Sequence, residues 1–271
     1  MHGKEAAISP TFAQILNVTT VTSQVINTDV LGTFSGEVPR LGHPLEVLRK
    51  KVQLGIHNSG IPLGVANEGS FGPHPWVPYI GSDHEMMIWK DEDLGIEIVE
   101  QLISLETNYE TLTVASWDNM MEAFLGRVMF PSHAVIVKPN TAAHPDVVFK
   151  GLRQIDEVRE AISKCIDRSD DGLVSVQTDM RAHMNPSRMR VIEDLARRMA
   201  YRLRAVCPGC GCPGWGVVGY IRGLPCEVCN HKTNVIHQDC YGCPRCDHRI
   251  NISRSDRSET AEQKYCEICN P

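Results

Sequence analysis

Apolar residues recur at two different spacings along the first two hundred positions, and the elements follow from which spacing holds where. Residues 44–56 carry them at helical intervals, with His43 in front, Pro44 at the start, and Gly60 and Pro62 to end the segment. That pattern predicts a helix. The run Leu63-Gly64-Val65-Ala66 predicts a short buried strand. Residues 85–89 and 96–99 flank Asp91-Glu92-Asp93-Leu94-Gly95 and predict a hairpin. A helix is predicted from Ser116, read as its cap, to about Val128, with Pro131 beyond it. A strand over 133–137, an amphipathic helix over 155–166, a turn at Asp170-Asp171-Gly172 and a strand over 173–176 come next.

The last predicted element is a long helix over 186–204. Ile192, Leu195, Met199 and Leu203 form one apolar stripe on it. Arg190, Arg197 and Arg204 fall on another face, joined by Arg198 and Arg202. This reads as a solvated basic face or, more sharply, as a surface that meets phosphates. Strands interleaved with helices predict an α/β domain over residues 1–205, a mixed sheet with helices on its faces.

Composition changes this picture only at its edges. The chain has 271 residues, of which 42% are hydrophobic, enough for a packed core and too many for a disordered chain. No run of 18 apolar residues predicts a membrane span, and the opening Met1-His2-Gly3-Lys4-Glu5 does not read as an export signal. Net charge is -6 but uneven: -11 over residues 1–180, +5 over 181–206 and zero over 207–271. Bulk attraction to a polyanion is thereby excluded, so any anion site is local.

Cysteine changes the picture most. Ten of the 11 cysteines lie between Cys207 and Cys269, with Cys165 the exception. Eight of them form four C-x-x-C pairs: Cys207 with Cys210, Cys226 with Cys229, Cys243 with Cys246, and Cys266 with Cys269. Fifteen residues separate the first two pairs and 19 the last two, both compatible with a tetrahedral zinc site built from consecutive pairs. Such short segments bury too little apolar surface to fold alone, so a metal supplies the missing free energy. The expectation is a tandem zinc-ribbon segment over 206–271 with two structural zinc ions and a reducing, cytoplasmic setting. A disulfide framework and redox chemistry are the weaker readings of the same cysteines. Cys212 and Cys240 are surplus to the two sites and read as small, partly buried side chains.

Polar clusters before the ribbons carry candidate chemistry. They comprise residues 2–5, residues 32–37 followed by Arg40, residues 66–75, and residues 178–188. Glu37, Glu46 and Glu68 are hard oxygen donors suited to Mg2+. Lys4, Lys51, Arg181 and Arg188 suit phosphate oxygens. Asp179 and His183 are candidates for proton transfer. Each also has a plain reading: Glu46 and Lys50 as a surface i,i+4 pair, residues 69–75 as a rigid loop, residues 179–188 as a network that caps the last helix.

The same segments carry a resemblance. His2-Gly3-Lys4-Glu5, Gly32-Thr33-Phe34-Ser35-Gly36-Glu37, Glu68-Gly69-Ser70-Phe71-Gly72-Pro73-His74-Pro75, Thr178-Asp179-Met180-Arg181-Ala182-His183-Met184-Asn185-Pro186 and the Cys-rich tail resemble an uncharacterised, mainly bacterial family catalogued as domain of unknown function 6671. A remoter similarity, through Thr33-Phe34, the Glu46-to-Lys51 spacing and Ala66-Asn67-Glu68-Gly69, is to inosine/xanthosine triphosphate pyrophosphatases. That similarity implies Mg2+ at Glu46 and Glu68, and phosphate at Lys4 and Lys51. The functional expectation is a metal-dependent phosphohydrolase or nucleotide pyrophosphatase acting on a nucleotide or other phosphorylated small molecule. The rival is a zinc-ribbon module that binds nucleic acid or protein, with a ligand-sensing α/β domain.

Overall fold

The computed structural model of the chain describes residues 3–22, 42–142, 147–254, 256 and 258–271. His2, Glu37, Arg40 and the whole glycine-rich stretch 32–37 lie outside the described residues. Two compact units emerge, residues 1–89 with 99–198, and residues 90–98 with 199–271. The described part has five α-helices and ten strands. The α/β class is as expected, with the strands shared among three sheets.

In the first unit, α1 (Glu5–Leu16) precedes α2 (Pro44–Ser59), β1 (Leu63–Pro73) and β2 (Gly81–Asp91). With β3 (Ile96–Ser104) these strands form a sheet in the order β1-β2-β3. The α2 helix begins where the sequence predicts: His43 accepts the Leu45 N–H, and Pro44 occupies the first turn. It ends on Gly60, whose positive φ of 67° suits glycine, with the Gly60 N–H bonded to Ile56 O at 2.9 Å. Its buried stripe, Leu48, Val52 and Ile56, packs with Ile88 of β2. The expected four-residue strand at 63–66 is the start of an eleven-residue one. Its extension covers Asn67, Glu68 and Gly69, all buried, so polarity hid the strand from a hydrophobic pattern.

The second sheet has the order β4-β7-β5-β6, with β4 (Thr111–Val114), β5 (Val135–Pro139), β6 (Phe149–Leu152) and β7 (Val174–Thr178). Every neighbouring pair in it is antiparallel. Helices α3 (Asn119–Arg127) and α4 (Ile155–Ile166) cover it. Met121, Phe124, Val158 and Ile162 meet Val135, Val137, Val174 and Val176 in one core. Asp118, not Ser116, caps α3, since its carboxylate accepts the Met121 N–H at 3.0 Å. The α5 helix (Pro186–Arg204) has the predicted bounds, and Ile192, Leu195 and Met199 of its stripe are fully buried. Asn185 caps it by accepting the Arg188 N–H at 3.0 Å, and His133 Nε2 accepts the Ser187 N–H at 3.2 Å. No helix among the described residues is long and apolar enough to cross a membrane.

The second unit is built on a sheet of order β10-β9-β8, from β8 (Gly216–Arg222), β9 (Ile236–Gly242) and β10 (Arg249–Ser253), antiparallel throughout.

Candidate functional site

The first unit gathers charges where a core would normally be apolar. Asp83 and Glu85 alternate along β2, which turns both side chains to the same buried face. Glu68 and Asn67 come from β1, Lys51 from α2, Lys4 from the turn before α1, and Arg188 from the first turn of α5. Arg188 Nε donates to Glu85 Oε1 at 2.6 Å, and its Nη1 donates to Met180 O. Asn67 Nδ2 donates to Glu85 Oε2 at 2.9 Å and to Met86 O at 3.0 Å. Lys4 Nζ donates to Asn67 O at 3.0 Å, and Lys51 Nζ pairs with Glu68 Oε2. Only a glycine fits at 69, because a Cβ there would collide with the Glu85 carboxylate and the Arg188 guanidinium.

Electrostatics single out two members of this cluster. Burial, reinforced by Arg188 and opposed by Glu85 and Glu68, draws Lys4 down to about 7. Burial, then the neighbouring Glu85, pushes Asp83 up to about 8, against Arg188 and Lys4. Asp83 is 1% exposed, and neither of its carboxylate oxygens has a hydrogen-bond partner. Asn67 Oδ1 is likewise buried and unpartnered. Leaving such groups unsatisfied costs roughly 1–3 kcal/mol each, more when charged. Clustered carboxyl and amine groups brought toward neutrality by their surroundings are typical of functional sites.

Of the residues expected to act, Lys4, Lys51, Glu68 and Arg188 come together here. Asp179 and Arg181 pair with each other next to this cluster. Asp179 is fully buried and accepts from Arg181 Nη2 at 2.6 Å, from Arg181 N at 3.1 Å and from Gly151 N at 3.1 Å. Met180, whose carbonyl holds Arg188, lies between them. Glu46 is exposed on the first turn of α2, and His183 is exposed in the short turn Ala182–Met184. Among the described residues, neither Glu46 nor Glu68 belongs to a group of three or more clustered potential metal ligands. Lys51 and Glu68 form an ion pair with one another.

Sequence reasoning missed Asp83, Glu85 and Asn67. A signal for the first two was available. In Ser82-Asp83-His84-Glu85-Met86-Met87, the acids fall in phase with Met87, an inward-facing position of the strand.

The second unit holds two groups of four thiols, each with sulfur atoms within 4.8 Å of one another. Their membership corrects the expected pairing. Cys207 and Cys210 join Cys243 and Cys246, while Cys226 and Cys229 join Cys266 and Cys269. The pairs therefore interleave. Strand register explains why: Gly216 of β8 pairs with Gly242 of β9, which returns the third C-x-x-C beside the first. A parallel bridge between Cys226 and Ala261, with Glu227 N–H bonded to Ala261 O at 3.0 Å, brings the fourth beside the second. Counting gaps between consecutive pairs cannot see either link.

The geometry of each group suits a tetrahedral metal. Sulfur separations are 3.8 Å for Cys207 with Cys246, 3.6 Å for Cys210 with Cys243 and 3.5 Å for Cys229 with Cys266. Four thiolates at the Zn–S distance of about 2.3 Å would stand about 3.8 Å apart. A disulfide needs roughly 2.05 Å, and all the cysteines are free. Gly209 N–H and Val228 N–H point at Cys207 and Cys226 sulfur, each at 3.4 Å. The Cys269 and Ile268 amides help bring Cys266 down to about 7 against burial, whereas the neighbouring Cys229 side chain pushes Cys269 of the same group up to about 12. The two groups could each bind a zinc ion. Cys212 and Cys240 belong to neither.

On α5, Arg197 is occupied by Glu193 at 3.0 Å and Asp194 at 2.8 Å, and Arg190 donates to Ser187. Part of the basic face is thus neutralised within its own helix, which favours the solvated reading.

No curated protein and no solved structure matches the chain, so the similarity to inosine/xanthosine triphosphate pyrophosphatases gains no support from either. The chain belongs to the family described as Domain of unknown function (DUF6671), whose model matches residues 51–271.

Proposed function

We propose that the buried charge cluster of the first unit is the centre of a divalent-cation-dependent phosphohydrolase. The observation that carries this reading is the Asp83 carboxylate, buried with both oxygens unpartnered. A buried carboxyl with no hydrogen-bond partner calls for an explanation, and a cation is the ligand that would favour its ionised form over the neutral form that burial favours. Mg2+ suits the donors, since it takes one or two carboxylates and fills its remaining positions with waters and phosphate oxygens. Asp83 would be its anchor, with Asn67 Oδ1 as a neutral oxygen donor. A bound cation would hold Asp83 ionised, reversing the effect of burial.

The cationic residues supply the other half. Arg188, held in place by Glu85 and the Met180 carbonyl, presents a fixed guanidinium, and Lys4 adds an amine. Together they would offset charge on the phosphoryl oxygens in the transition state. With its pKa drawn down to about 7 by burial, protonated Lys4 would give its proton to the departing oxygen as the P–O bond to the leaving group breaks, while the attacking water forms the new P–O bond and releases its own proton to solvent. Asp179 and Arg181 would support the adjoining wall and are assigned no contact with the reacting atoms. The interleaved thiol groups stiffen the second unit once loaded with zinc.

The experiment is a phosphate-release screen of the zinc-loaded chain with Mg2+ against nucleoside triphosphates, phosphomonoesters and inorganic polyphosphates. Turnover of at least one class that vanishes without Mg2+ is expected. Absence of turnover on every class would remove this reading.

A further inference from the structure

Residues 74–80 join β1 to β2, the strands that carry Glu68 and Asp83. The neck of this loop is fixed beside the cluster: Ser82 Oγ, one residue from Asp83, donates to Gly72 O at 3.3 Å. The loop is internally ordered. His74 N–H bonds to Ile80 O at 2.7 Å, Ile80 N–H to Val77 O at 3.0 Å and Val77 N–H to His74 O at 3.2 Å. Pro73, Pro75 and Pro78 restrict it further. Yet this rigid loop leaves Trp76 77% and Tyr79 94% exposed.

A second aromatic series leads out of the cluster. Phe71 lies over the Arg188 guanidinium at 5.1 Å and stacks on Tyr109 with ring centres 6.0 Å apart, and Tyr109 is exposed. Gly81, at the base of the loop, adjoins the Tyr109 carbonyl. Exposed rings on a preorganised loop that joins the two strands carrying Glu68 and Asp83 are what a nucleobase recognises.

We propose that the substrate of this site is a mononucleotide, with its phosphates at Lys4 and Arg188 and its base stacked against the exposed rings of Trp76 and Tyr79. This rests on the phosphohydrolase reading and adds the substrate class to it. The net charge of -11 over residues 1–180 opposes a long polyanion, so a single nucleotide is favoured over a nucleic-acid strand.

The test is calorimetric titration of the zinc-loaded full chain with Mg2+ present, using a non-hydrolysable ATP analogue and, separately, inorganic tripolyphosphate. The analogue should bind at least tenfold more tightly. The double substitution Trp76→Ala/Tyr79→Ala, at exposed positions, should bring the ratio of the two affinities close to one. Equal affinities in the unsubstituted chain, or a ratio untouched by the double substitution, overturns the nucleotide assignment alone. Failure of both ligands to bind overturns the phosphate site itself, and the nucleotide with it.

Discussion

Arg188 Nε stands 2.6 Å from Glu85 Oε1, and both side chains are wholly buried. Removing one partner of such a pair strands the other's charge in the interior, at a cost of about 3–5 kcal/mol. Arg188→Met should therefore lower stability by that order in a urea titration. Glu85→Gln added to it should restore part of the loss, since no bare charge then remains. A double variant as unstable as the sum of its singles would mean the two groups do not act as a pair.

Gly69 presses its backbone against that pair. Its substitution by alanine would set a methyl group 2.5 Å from Arg188 Nη2, and nearer still to the Glu85 carboxylate. Gly69→Ala should destabilise by about 1–3 kcal/mol, the usual cost of overpacking. Gly72, where an added Cβ meets nothing within 4 Å, serves as the control. Similar melting temperatures for both variants would contradict the close approach.

The interleaved thiol groups separate cleanly from consecutive ones. Native mass spectrometry of the full chain should find two zinc ions, one for each group. Truncation just before Cys243 removes half the ligands of both groups and should leave no tightly held zinc. Consecutive pairing would leave Cys207, Cys210, Cys226 and Cys229 holding one. Retention of one zinc by the truncated chain would overturn the interleaving.

Asp83 makes a signed prediction about pH. Its folded-state value is about 8 against 3.8 for the free group, so between those values the folded chain binds more protons than the unfolded one. Its contribution therefore falls as pH rises from about 4 to about 8 and is level outside that window. Asp83→Asn lacks this term. In Mg2+-free buffer its melting temperature should gain on the unsubstituted chain from pH 5 to pH 8. Parallel curves across that range would show that the carboxylate does not titrate as its burial requires.

Much of this molecule was legible in the sequence, and the illegible parts share a cause. The α5 helix and its Ile192-Leu195-Met199 stripe, the α2 helix and its Gly60 stop, and all eight cysteines of the two thiol groups were readable because each rests on local spacing. The partition of the cysteines was not, since it depends on the Gly216–Gly242 register and the Cys226–Ala261 bridge. The polar half of β1 and the acids of β2 defied the rule that strands bury apolar residues, because here the buried face is an ion-paired cluster. Lys4, Lys51, Glu68 and Arg188 were singled out for their chemistry and do converge. Glu46, chosen for its spacing to Lys51, faces solvent instead.

Cation binding at Asp83 is the central claim about this site. Titrating the zinc-loaded chain with Mn2+, and following free Mn2+ by electron paramagnetic resonance, reads this directly. The unsubstituted chain should take up one Mn2+ that Mg2+ displaces, and Asp83→Asn should bind it at least tenfold more weakly. No uptake, or equal uptake by both proteins, would contradict the account.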